Sequence, residues 1–232
     1  MQARRAWLSR LIGACAIVAL LGGSSAASAQ PAAITVEDWS KQPAGKTGVP
    51  DGWTGQNWGN AKYDFRVQAD GADKVLHLKS DNDGCTITKE LKVDIKQYPI
   101  LEWRWKAVVL PKGADSRRKE TDDQAAQIYV TFPRFPAAVR SRIIGYVWDT
   151  TVPAGRTVKS EKTGTVTYVI LRSGPGELGR WITETRNVYD DYKRIYGEEP
   201  GEQVGAVSVA IDSNDVKGTA ESFMGEIRFR KP

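Results

Sequence analysis

The sequence predicts an all-β protein, a two-sheet antiparallel β-sandwich of jelly-roll type with one short helix near 188–196. Short segments with strict period-2 alternation recur along the chain, Gly- and Asp-rich turn sequences fall between them, and a single stretch repeats apolar residues at helical spacing. Period-2 alternation with one apolar face marks strands that bury one side and wet the other.

Taken in order, residues 1–29 read as a cleavable signal peptide. Arg4, Arg5 and Arg10 give a positive start, Leu11–Leu21 an apolar run, and Ala27-Ser28-Ala29 a small-residue cleavage pattern. The apolar run is shorter than the ~20 residues that cross a bilayer. No membrane span is therefore expected after cleavage, and the chain is expected in the periplasm or outside the cell. Residues 30–60 form a lead-in, rich in Pro and Gly over 41–59, and 61–232 a single sandwich domain.

Strands are expected over Tyr63–Val67, Lys74–Ser80, Cys85–Val93 and Leu101–Val108. In the last of these Leu101, Trp103 and Trp105 share one face, and Glu102, Arg104 and Lys106 the other. Ala126–Phe132, Ile144–Trp148, Val166–Ile170, Val207–Ile211 and Phe223–Phe229 alternate likewise. Turns are expected at Ala69-Asp70-Gly71, at Asn82-Asp83-Gly84 as a hairpin, and at Ser173-Gly174-Pro175-Gly176. Val188, Tyr192 and Ile195 give the helix over Val188–Tyr196.

Charge and cysteine content exclude several classes. The whole chain carries +5, and taking away the three arginines of the leader leaves +2. So small an excess offers no nucleic-acid footprint. Cys85 is the one cysteine after the leader, so no intramolecular disulfide forms, and a buried inert thiol is expected. With His77 the only histidine, zinc sites that need two histidines are excluded, as is a serine triad without a G-x-S-x-G turn. No phosphate loop or dinucleotide fingerprint is present. Asp81-Asn82-Asp83-Gly84 with Glu90 fails as a calcium loop, because Lys79 stands where its first ligand belongs. Adjacent Asp122 and Asp123 are expected to point to opposite faces if the strand begins there.

Aromatic residues are enriched, with eight Trp in all. Trp103 and Trp105 read as core. Trp53 and Trp58 lie in the polar stretch Asp51–Gly59, where a ring with amide neighbours makes a stacking platform for a sugar. Trp148, followed by Asp149, and Trp181, after Gly179-Arg180, are similar candidates. Arg104, Asp123, Tyr129, Arg186 and Asp212 are expected to form a polar patch on one sheet face, with Trp53, Trp58 and Trp148 at its rim.

The stretches Leu101-Glu102-Trp103-Arg104-Trp105-Lys106, Asp122–Val130, Tyr146-Val147-Trp148, Arg186–Tyr192 and Gly225–Phe229 occur in an order that resembles a secreted bacterial family catalogued as a domain of unknown function, family 3047. That resemblance covers nearly all of the chain after the leader and implies an exported domain without implying an activity. The sequence is also similar, more distantly, to galactose-binding-like jelly rolls, including carbohydrate-binding modules. That likeness implies a structural calcium near Glu37 and Glu226; no other cofactor is expected. The expected function is an exported, non-catalytic sandwich that binds a polysaccharide or envelope glycan. The alternatives are a glycan hydrolase or lyase on the same fold, and a structural, partner-binding envelope protein.

Overall fold

Alternation of apolar and polar residues resolves into thirteen strands over residues 31–232, the part of the chain described by the computed structural model. The expected signal peptide, 1–29, lies outside the described residues. In chain order the first strands are β1 (Ala33–Glu37), β2 (Thr54–Gly55), β3 (Asp64–Asp70), β4 (Asp73–Asp81), β5 (Gly84–Val93) and β6 (Ile100–Val109). There follow β7 (Ala126–Phe132), β8 (Arg142–Asp149), β9 (Thr157–Lys159), β10 (Val166–Ser173), β11 (Ile182–Asn187), β12 (Val204–Asp212) and β13 (Thr219–Arg230). A single-turn helix α1 (Ala137–Arg140) precedes β8, and α2 (Val188–Tyr196) follows β11. Among the described residues no helix is long and apolar enough to cross a membrane.

The strands form a β-sandwich. One sheet runs β11-β6-β13-β4-β3, the other β2-β5-β12-β7-β8-β10-β9. In the first sheet β13 is the long central strand: its N-terminal half pairs with β4 and its C-terminal half with β1. All pairings are antiparallel except β8 with β10, which run parallel. This departs from the expected wholly antiparallel arrangement. The chain leaving β8 skips one strand position, forms β9 on the outer edge, and returns as β10 in the gap, so β10 follows the direction of β8. The Asn82-Asp83-Gly84 turn also differs from the expected hairpin. It carries the chain from β4 in one sheet to β5 in the other, with Asn82 in the left-handed region at φ 48°.

Between the sheets Trp103 and Trp105 of β6 meet Tyr146 and Trp148 of β8, with ring centroids 5.4 Å (Trp103–Tyr146) and 6.1 Å (Trp105–Trp148) apart. The helix is built as its sequence requires. Asn187 caps its start by accepting from the Asp190 amide, and Gly197 closes it at φ 72°. Its buried face, Val188, Asp191 and Tyr192, is held by packing of Tyr192 edge-on to Phe132 and by charge. The Asp191 carboxylate accepts from the Tyr146 hydroxyl at 2.9 Å and from Arg186 and Arg194.

Candidate functional site

The outward-facing positions of the second sheet fall into rows. Register places Thr88 beside Ser208, Ser208 beside Tyr129, Tyr129 beside Gly145, and Gly145 beside Tyr168. At Gly145 two rings close over the strand: a Cβ there would lie 2.8 Å from Tyr129 Cε1 and 3.0 Å from Tyr168 Cδ1. Glycine alone lets the two tyrosines, 6.5 Å apart, lie over the same strand. They line a cleft of about 780 Å³, within the usual size of a small-ligand site.

One rim is a loop that ends in Trp58, which is 62% exposed. Gln56 fixes that loop to the sheet: its side chain donates to the carbonyls of Trp58 and Gly84 and accepts from the Thr86 amide. Lys162, ion-paired with Asp215, closes another side.

Hydrogen bonding sets the polarity of the floor. The Gln127 amide nitrogen donates to Asp212 Oδ1 at 2.6 Å and to the Gln124 carbonyl at 3.1 Å, which uses both of its protons. Its oxygen must then accept, and it takes the Tyr129 hydroxyl. The Tyr168 hydroxyl donates to Asp122 Oδ2 at 3.1 Å. Both phenol protons therefore point into the protein, and what the phenol oxygens offer the cleft is lone pairs.

Behind the floor lie three carboxyl groups. Burial pushes Asp212 well above the ordinary carboxylate range, and the nearby Asp123 and Asp122 push it further. Burial also raises Asp122 and Asp123. One Asp123 oxygen accepts from the Val216 amide at 2.8 Å, and the other has no partner. A carboxyl raised on folding stabilises the fold fully below its unfolded value, about 3.9, and loses that contribution as pH rises through the folded value. Asp212→Asn keeps an oxygen for Gln124 and Gln127 and removes the like charge. It is expected to raise stability at pH 8 by about 1–3 kcal/mol and to flatten the loss of stability as pH rises above the unfolded carboxyl value in thermal unfolding. A variant less stable than the parent at pH 8 would contradict this account. Cys85 lies nearby, its thiol pushed up to about 12 by burial and by its hydrogen bond to Asp83. At neutral pH it is a protonated, unreactive thiol.

Residues 51–228 match the family described as Protein of unknown function (DUF3047). The chain belongs to that family. Among solved structures this DUF3047 chain is similar to a family 30 carbohydrate-binding module (TM-score 0.45, 10% identity, covering 86% of this chain and 99% of that one). It is also similar to the carbohydrate recognition domain of Emp47p (TM-score 0.43, 12% identity, 85% and 94% covered). A third similar structure is the glycoside hydrolase domain of Endo-D from Streptococcus pneumoniae R6 (TM-score 0.36, 11% identity), where 77% of this chain spans 21% of that one. Comparison with curated proteins finds no match.

The expected polar patch divides. Trp58, Asp123, Tyr129 and Asp212 gather at or just behind the cleft. Arg104 and Arg186 do not join them. Alternation puts Arg104 on the outer face of the first sheet, on the opposite side of the sandwich, where it pairs with Asp73 at 3.1 Å. Arg186 is spent on Asp191. Trp53 is no platform: it is 6% exposed, stacks on Trp39, and donates its indole N–H to Glu37 at 3.0 Å. Trp148 faces inward from β8 and is fully buried. Asp122 and Asp123 precede β7, so strand alternation does not apply to them; Asp122 accepts from Gln124, Ser160 and Tyr168, and Asp123 from the Val216 amide.

Of the calcium candidates, Glu37 accepts from the Trp39 amide, the Trp53 indole and the Lys89 ammonium, a donor set that already includes a cation. Glu226 lies 3.7 Å from Arg228. A calcium ion does not fit a carboxylate so committed, and no cluster of three or more metal-ligating side chains occurs among the described residues.

Tyr168, Gln127 and Ser208 are among the cleft residues that sequence alone did not bring forward as a site. The signal for them was an absence of charge. The outward positions Thr86, Thr88, Gln127, Tyr129, Thr131, Tyr168 and Ser208 carry none, whereas β6 sets Glu102, Arg104 and Lys106 outward.

Proposed function

We propose that this is an exported, non-catalytic glycan-binding domain whose ligand lies in the cleft over Tyr129 and Tyr168. The observation that carries the reading is the pair of rings over Gly145 with both hydroxyl protons turned inward. A sugar ring is apolar on its faces and rimmed with hydroxyls. Its faces suit the Tyr129 ring and Trp58, with the buried Tyr168 ring backing the floor behind them, and its hydroxyl protons suit the outward lone pairs. Neutral threonine and serine hydroxyls along the floor add adaptable partners.

A glycan array followed by tryptophan fluorescence titration tests the proposal, with exposed Trp58 as the reporter. Tyr129→Phe keeps the ring and removes the oxygen, and it is expected to weaken binding roughly three- to tenfold, the worth of one hydrogen bond. No response to any plant or bacterial polysaccharide, or a response unchanged by Tyr129→Phe and Trp58→Ala, would defeat it.

The raised carboxyls behind the floor favour one second reading, a glycan hydrolase using Asp122 and Asp212. Asp122 is committed to Gln124, Ser160 and Tyr168, and Asp212 to Gln124 and Gln127. Release of reducing ends from a bound glycan, lost in Asp122→Asn, would decide for catalysis.

A further inference from the structure

The opposite face of the sandwich carries a second row of a different character. Register across the first sheet lines up Arg66 of β3, His77 of β4, Phe223 of β13 and Lys106 of β6. Trp181, which immediately precedes β11, adjoins Lys106 because Ile182 pairs with Trp105. The His77 ring stacks flat on Phe223, with centroids 4.2 Å apart and planes 4° apart. The Lys106 ammonium sits 4.2 Å from the Phe223 centroid and 4.9 Å from that of Trp181.

The local acids are already spent. Glu221 pairs with His77 at 2.7 Å. Asp70 and Asp73 take Arg104, which reaches them by lying across Gly225, where a Cβ would come within 2.3 Å of its side chain. Among the described residues no carboxylate lies within 4.0 Å of the Lys106 ammonium or the Arg66 guanidinium. Ordinary solvated sheet faces intersperse charges of both signs. Here two cations without counter-charges are separated by aromatic rings, in one line across the strands.

We infer that this row is a second binding surface, for a glycan of carboxylated sugar rings. Sugar rings pack along the half-buried row of Trp181 and Phe223, whose faces already hold Arg104, Lys106 and His77, and carboxylates meet Lys106 and Arg66. Three strand spacings, about 14 Å, separate the backbone positions of Lys106 and Arg66, so a chain with repeated carboxylates crosses the strands and engages both, while a single acidic sugar engages one. The site is independent of the cleft and stands or falls separately from it.

The test is titration of the full chain with oligogalacturonides, with neutral cello-oligosaccharides of equal length and galacturonic acid as comparisons. The expected result is salt-sensitive binding of the oligogalacturonides, at least tenfold tighter than that of the monomer. Lys106→Gln and Trp181→Ala should each weaken it at least tenfold, with the melting temperature and any neutral-glycan binding in the cleft unchanged. Absence of oligogalacturonide binding overturns the inference. So does binding that survives both substitutions, binding lost instead in Tyr129→Phe, or a preference for a phosphate polymer such as polyphosphate. A failure of the cleft reading, by contrast, would leave the effects of Lys106→Gln and Trp181→Ala in place.

Discussion

Asp191→Ala is expected to remove about 3–5 kcal/mol of folding stability, nearer the lower figure because Arg186 and Arg194 both keep contact with water. The Asp191 side chain is 4% exposed and serves three donors at once: the Tyr146 hydroxyl, Arg186 through two nitrogens, and Arg194. Burial alone would raise its carboxyl, but the two guanidiniums outweigh burial and hold it below the ordinary range. Alanine leaves the Tyr146 hydroxyl, buried between the sheets, without an acceptor, and leaves Arg186 half-buried without its counter-charge. Domains of this kind are stable by about 5–15 kcal/mol, so the loss is a large fraction of the whole.

Urea unfolding of parent and variant measures the effect, and Asp191→Asn, which keeps one acceptor, should fall between them. The pH dependence has a definite sign. A carboxyl lowered on folding gives stability that is present above its unfolded value and is lost as pH falls through the folded one. The gap between parent and variant should therefore be full at pH 6 and close under strongly acidic conditions. Coincident unfolding curves at pH 6 would show that α2 is held by apolar packing alone.

Much of the fold was legible because a buried sheet face leaves a period-2 trace, and the helix was legible through its spacing. The parallel pairing of β10 was not, since nothing in Val166–Ser173 records which neighbour it meets. The candidate site was legible only in part. Tyr129 and Asp212 belong to strands whose alternation was clear, but alternation says only that a residue faces away from the core, not which of two opposite outer faces it joins. Arg104 and Tyr129 were placed together for that reason, and the sandwich lies between them. Trp53 was misplaced for another. Its partner Glu37 is in β1, and a polar loop sequence gives no sign that a buried carboxylate will take its indole N–H. The cleft itself depended on one residue type at one place, a glycine within a strand of large side chains.

Gly145→Val should abolish measurable glycan binding in the cleft, a loss well beyond tenfold, while leaving the sandwich folded. The missing Cβ is 2.8 and 3.0 Å from two atoms of the Tyr129 ring and 3.0 Å from the Tyr168 ring, closer than carbon atoms pack. Neither ring can simply swing aside, because Tyr129 is tied to Gln127 and Tyr168 to Asp122. Valine must push both rings up into the cleft, which fills the space a sugar would occupy and breaks the hydroxyl contacts that set the polarity of the floor. The cost to folding is that of overpacking, about 1–3 kcal/mol, which the domain survives. Isothermal titration against the glycan bound by the parent reads the first consequence. The second needs no ligand. Burial now holds the phenol of Tyr129 well above its ordinary value and raises that of Tyr168 as well, so neither should ionise near pH 10 in the parent. Rings driven into water should titrate there, and the absorbance change of phenolate formation should grow in the variant by the contribution of two tyrosines. An unchanged alkaline titration together with unchanged affinity would mean that the strand yields instead of the rings, and that the glycine is not what shapes the cleft.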